Sequence, residues 1–123
     1  PFQVTDETKA MVTNNICYLL NNFLKCSAYE SIIFCWVMHE QSIIDSILEK
    51  LDTQNCEVKC VSLIADENTL RERLSADVEK GIRSEDVIER SIARIPMYQA
   101  LGTIKIDTKG KAVAVIANEI KRL

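Results

Sequence analysis

The sequence is short of the residues that punctuate, crosslink or cradle. Of 123 residues only three are glycine, two proline and one histidine. The glycines, Gly81, Gly102 and Gly110, do not fit the phosphate loop Gly-x-x-x-x-Gly-Lys-Ser/Thr, and no hydroxyl follows Lys111. With His39 alone, an ordinary Cys/His zinc site lacks its partners, and no metal ligand set is expected. The cysteines, Cys17, Cys26, Cys35, Cys56 and Cys60, are odd in number and include no Cys-x-x-Cys pair. They read as reduced thiols of a cytoplasmic protein, with Cys35 and Cys60 as small buried hydrophobes inside apolar runs. No apolar run approaches the roughly 20 residues of a membrane span. No basic patch followed by an apolar stretch opens the chain as a secretory signal would. Positive charge is scarce too: the formal net charge of −3 argues against nucleic acid or an anionic membrane as a partner.

What is present is an ordinary globular mixture, 47% hydrophobic and 27% charged, enough for one domain over residues 1–123. Hydrophobic periodicity predicts a helix from Thr5 to about Leu24, with Thr5 as cap and Asp6 and Glu7 in its first turn. Ile32–Met38 is apolar at every position, the pattern of a strand covered on both faces, and Trp36 in it is expected in the core. Ser42–Leu51 reads as a second helix and Val58–Ile64 as a second buried strand. Helices follow over Glu67 to about Lys80 and over Ser84 to about Ala100, the latter capped by Ser84 and broken or kinked near its end by Pro96. Thr103–Asp107 is a third, short strand, and Ala112–Leu123 a closing helix. Alternating helices and strands predict an α/β fold, a three-layer parallel sheet with helices on both faces. Three strands are few for such a sheet, and Pro1 opens the chain in mid-pattern, so a fragment lacking one or two N-terminal strands is expected.

Five of the six arginines, Arg71, Arg73, Arg83, Arg90 and Arg94, fall within 24 residues directly after the second strand. A planar fork of donors matches phosphate or carboxylate oxygens, so the cluster points to a small polyanion. From Asp66 to Arg94 carboxylates outnumber cations, and an exposed helix face of ion pairs is the alternative for each arginine taken alone. His39 and Glu40 follow the first predicted strand, at the end where open parallel sheets bind ligands. They read as acceptor contacts, with His39 a general base or simply a polar residue capping the strand end.

The succession Val58–Ile64, Asp66-Glu67-Asn68-Thr69-Leu70-Arg71-Glu72-Arg73-Leu74, an arginine beside Gly81, Arg94-Ile95-Pro96-Met97-Tyr98 and Ile104-Lys105-Ile106-Asp107-Thr108 resembles the C-terminal half of P-loop small-molecule kinases. The pattern is similar to shikimate-kinase-like and nucleotide-kinase-like proteins and to AAA-labelled ATPases, over roughly residues 32–123. The resemblance implies ATP-dependent phosphoryl transfer to a small molecule or nucleotide, with ATP and Mg²⁺ as cofactors. It implies a lid-like helical pair at 67–100, with Arg73 on the nucleotide and Arg83 on the transferring phosphoryl group. Arg94 is implied to bind the acceptor, Asp107, Thr108 and Lys109 to border the adenine, and Tyr98 to pack at the corner. The missing phosphate loop departs from the family, so an upstream segment carrying it is expected. The alternative is a non-catalytic α/β module that binds a partner. A truncated sheet would expose an edge, and a homodimer is then expected.

Overall fold

The computed structural model describes residues 2–123 and orders them as α1 (Asp6–Lys25), α2 (Gln41–Leu48), β1 (Val61–Ile64), α3 (Glu67–Glu79), α4 (Val87–Ala93), α5 (Ile95–Ala100), β2 (Ile104–Asp107) and α6 (Val113–Lys121). The fold is mixed α/β, with β1 and β2 as one parallel pair. Two compact units divide between Val58 and Lys59.

In the first unit α1 starts from a reciprocal cap. The Thr8 amide donates to Thr5 Oγ1 (3.2 Å) and the Thr5 amide donates to Thr8 Oγ1 (2.8 Å), satisfying two N–H groups that helix geometry leaves over. Cys17 and Leu20 of α1 are buried with Ile47 of α2 in one apolar cluster. Asn21 fixes the turn after α2: its Nδ2 donates to the Lys50 carbonyl and its Oδ1 accepts from the Asp52 amide, both at 2.9 Å. One side-chain amide thus replaces the backbone partners that the turn lacks.

The expected first strand, Ile32–Met38, forms no ladder among the described residues. It alternates nonetheless. Ile32, Phe34 and Met38 pack against the Cys17–Leu20–Ile47 cluster, while Ile33 (88% exposed) and Val37 (54%) point outward. Trp36 is 42% exposed and Cys35 lies on the surface, so neither is the core residue expected from the sequence. Apolar composition favours extended backbone, but a strand exists only where a neighbour takes up its N–H and C=O groups.

In the second unit β1 and β2 align from Val61 beside Ile104 to Ile64 beside Asp107. The ladder is extended at both ends, by the Ile104 amide to the Cys60 carbonyl and the Thr108 amide to the Ile64 carbonyl, each 2.9 Å. Ser62 and Thr103 hydroxyls meet at 2.7 Å, so a polar residue inside the strand is satisfied across the pair. With two strands, the three-layer sheet expected from the sequence is not what these residues form. The single helix expected over Ser84–Ala100 is two short ones that part at Arg94. Pro96, with no amide hydrogen to give a preceding carbonyl, sits in the first turn of α5. Ser84 does not cap it: its hydroxyl bonds the Asp86 carboxylate, and α4 begins only at Val87. Gly81, at φ +70°, closes α3. Its amide bonds the Val78 carbonyl and the Ile82 amide reaches back to Asp77, both at 2.9 Å.

Candidate functional site

Parallel strands with helical crossovers deliver their loops to one end of the sheet, so the carboxyl ends of β1 and β2 are where chemistry is built. Here the chain turns from β1 through Ala65 into α3, and Asp66 is the cap: its Oδ1 accepts from the Thr69 amide at 2.8 Å. The other oxygen, Oδ2, receives Lys109 Nζ at 2.7 Å from the loop after β2. The Lys109 ammonium, aided by Thr69, holds the Asp66 carboxyl far below the usual carboxylate range, and Asp66 in turn pushes the Lys109 ammonium up. Asp107 accepts the Lys109 amide at 2.9 Å.

Arg73 of α3 closes the same corner. One terminal nitrogen donates to Thr108 Oγ1 (2.7 Å) and the other to the Thr108 carbonyl (2.8 Å), while the buried Thr108 hydroxyl also reaches the Ile64 carbonyl at 3.0 Å. The ends of both strands and the face of α3 are tied at one residue. Beside this corner lies a cleft of about 350 Å³ walled by Ile64, Ala65, Asp66, Glu67, Ile95, Gln99 and Asp107. Its lining combines three apolar side chains with three carboxylates and one amide.

The structure therefore gathers four residues singled out in the sequence, Arg73, Asp107, Thr108 and Lys109. Arg83 is elsewhere, its Nε 3.1 Å from Asp77 Oδ2 across the Gly81 turn. Among the other clustered arginines, Arg71 pairs with Glu67 (3.0 Å) and Glu89 (2.8 Å), and Arg90 pairs with Asp86 (3.2 Å). Arg94 differs. The residue is half-buried, its guanidinium makes no hydrogen bond or ion pair with the described residues, and it immediately precedes Ile95 of the cleft wall. Half-buried Tyr98 lies within its field: burial pushes the phenol up and the Arg94 charge draws it back. His39 and Glu40 belong to the first unit, with Nε2 and Oε1 3.5 Å apart and His39 Nδ1 buried without a hydrogen-bond partner.

Sequence reasoning passed over Asp66, although an aspartate between an apolar run and a helix is the usual sign of a cap. It also passed over Gln99, for which no sequence signal exists. All five cysteines are free thiols, and no helix of the described residues is long and apolar enough to cross a membrane. Comparison of the chain with known protein families, with curated proteins and with solved structures finds no match.

Proposed function

We propose that this chain is the C-terminal portion of a cytoplasmic P-loop kinase that moves a phosphoryl group from ATP to a small molecule or nucleotide. The observation that carries the reading is Arg94. It alone of the five clustered arginines keeps its guanidinium uncommitted among the described residues, and its chain neighbour Ile95 walls a cleft at the carboxyl ends of parallel strands. A guanidinium without a carboxylate partner can take an anionic group, here a carboxylate or phosphate of the acceptor.

Asp107, Thr108 and Lys109 form the nucleotide side of the cleft in this reading. Arg73 acts on it through Thr108, because both arms of its fork are spent on that residue. Arg83 reaches the transferring group only after leaving Asp77. The triphosphate and Mg²⁺ do not fit the residues present. No phosphate loop occurs in the sequence, and no group of three or more His, Cys, Asp or Glu among the described residues could hold a metal. The cradle for both lies outside these 123 residues in this reading, as do the further strands of a three-layer sheet to which the extended Ile32–Met38 run would belong.

The experiment is ATP turnover by the full-length protein against a panel of hydroxylated carboxylates and nucleoside monophosphates. The reading expects ADP formation that requires one acceptor class. It expects Arg94→Gln to raise KM for that acceptor, and Arg83→Gln to lower kcat by orders of magnitude with folding intact. Turnover untouched by either change overturns it.

A second reading, a non-catalytic module that docks a partner protein or a second copy, is favoured by the outward apolar side of the 32–38 run, where Ile33 is 88% exposed. Absence of nucleotide binding by the full-length protein, together with a stable complex or dimer lost on Ile33→Lys, would establish it.

A further inference from the structure

We propose that α1 pairs antiparallel with α1 of a second copy of this chain, making a twofold dimer through the side of the helix that faces away from Cys17 and Leu20. Residues 10–24 carry no charged side chain, in a chain that is 27% charged overall. On a helix with one buried face, the outward side ordinarily carries the charge. Here the outward side holds Met11 (48% exposed), Tyr18 (71%) and Leu19 (54%), with Asn15 and Asn22 among them. Tyrosine and methionine in place of charge are the composition of an interface core rather than of a solvated surface.

The charges that α1 does have stand at its two ends, and their signs choose the occupant. Asp6 and Glu7 lie in the first turn and Lys25 in the last. Steps of four, seven, four and three residues lead from Glu7 through Met11, Tyr18 and Asn22 to Lys25, so a 3.6-residue turn sets all five along one side. All five are exposed, and neither Glu7 nor Lys25 makes an ion pair among the described residues. In an antiparallel pair with its twofold axis near the middle of this stripe, Glu7 meets Lys25 of the second copy at both ends. The same register sets Tyr18 opposite Asn15, a hydroxyl beside an amide, and Met11 opposite Asn22. A parallel pair would instead stack Glu7 on Glu7 and Lys25 on Lys25, and like charges repel. The antiparallel order also lays opposite ends of two helix dipoles side by side. The stripe includes no residue of the 32–38 run, and the pairing holds whether or not the protein transfers phosphoryl groups.

Sedimentation equilibrium of the full-length protein tests the pairing. Wild type should be a dimer at micromolar concentration that dissociates on dilution. Tyr18→Glu should weaken it about tenfold or more, with helical circular dichroism unchanged because the side chain is 71% exposed. Glu7→Lys alone and Lys25→Glu alone should each weaken it about tenfold, whereas an equimolar mixture of the two should regain wild-type association. Ile33→Lys should leave it intact. A monomer at every concentration overturns the proposal. So does a dimer indifferent to Tyr18→Glu, one lost on Ile33→Lys, or a mixture of the charge variants that associates no more tightly than either alone.

Discussion

Arg73 grips Thr108 with both arms of its guanidinium, at 2.7 Å to the hydroxyl and 2.8 Å to the carbonyl, and Thr108 passes the hold on to Ile64 at 3.0 Å. The three residues come from α3, the loop after β2 and the end of β1. Arg73→Ala leaves a buried hydroxyl and a carbonyl short of donors, so it should lower stability by about 1–3 kcal/mol. Arg73→Lys should recover part of that, because an ammonium reaches one of the two acceptors but cannot present a fork. In a double-mutant cycle with Thr108→Val, urea unfolding should show the two losses to be strongly non-additive. Additive losses would mean that the contact does not couple α3 to the strand ends.

The Asp66–Lys109 pair ties the same loop to the cap of α3 and gives stability a pH signature. The Asp66 carboxyl is depressed below its ordinary value of about 3.9 by Lys109 first and the Thr69 hydrogen bond second. A depressed acid contributes stability that is present above its unfolded pKa and is lost as pH falls through the folded one. The wild type should therefore lose stability between about pH 4 and 2 more steeply than Asp66→Asn. At the other limit Lys109 is raised above its ordinary value of about 10.4 by Asp66, so its contribution should hold up to that pH and fade above it. Denaturation midpoints of the two proteins across the range check both limits, and parallel curves would remove the pair from the balance.

The strand-to-helix step beside these two contacts was readable in the sequence, though the contacts themselves were not. The apolar run Val58–Ile64 followed by a charged amphipathic stretch announces a strand entering a helix, and β1, over Val61–Ile64, and α3 are there. The short β2 was readable from Ile104 and Ile106 for the same reason. All of these depend on neighbours within a few residues. The Ile32–Met38 run was not, because its apolar character is local whereas a ladder is a matter of which chain lies alongside. The arginine cluster was visible as composition, and separate roles for Arg73, Arg83 and Arg94 came only from the family resemblance. Which carboxylate each guanidinium meets depends on where α3 and α4 stop, so the pairing of Arg71 with Glu67 and Glu89 could not be read beforehand.

Gly81 offers a backbone test. A Cβ built there meets nothing within 4 Å, yet φ is +70°, so the cost of a side chain is conformational rather than steric crowding. Gly81→Ala should lower the melting temperature by an amount worth about 1 kcal/mol, and Gly81→Asn by less, since asparagine tolerates the left-handed region better. Equal stability of all three proteins would show that α3 ends without its left-handed cap.

The extended run in the first unit makes the last prediction, from two identical side chains in adjacent positions. Ile32 packs on the cluster of Cys17, Leu20 and Ile47, whereas Ile33 is 88% exposed. Ile32→Ala should cost about 2 kcal/mol, because it removes methyl groups from a packed surface. Ile33→Ala should stay within roughly 0.5 kcal/mol and Ile33→Lys should improve solubility, because an outward isoleucine gives the folded chain nothing and offers other chains an apolar edge. Chemical denaturation and static light scattering separate the two effects. If both alanine variants lose the same stability, the period-two packing is not what holds residues 32–38 against α1 and α2. If only Ile32 matters, the extended conformation is fixed by one face alone, and the other is left for whatever strand or surface completes it.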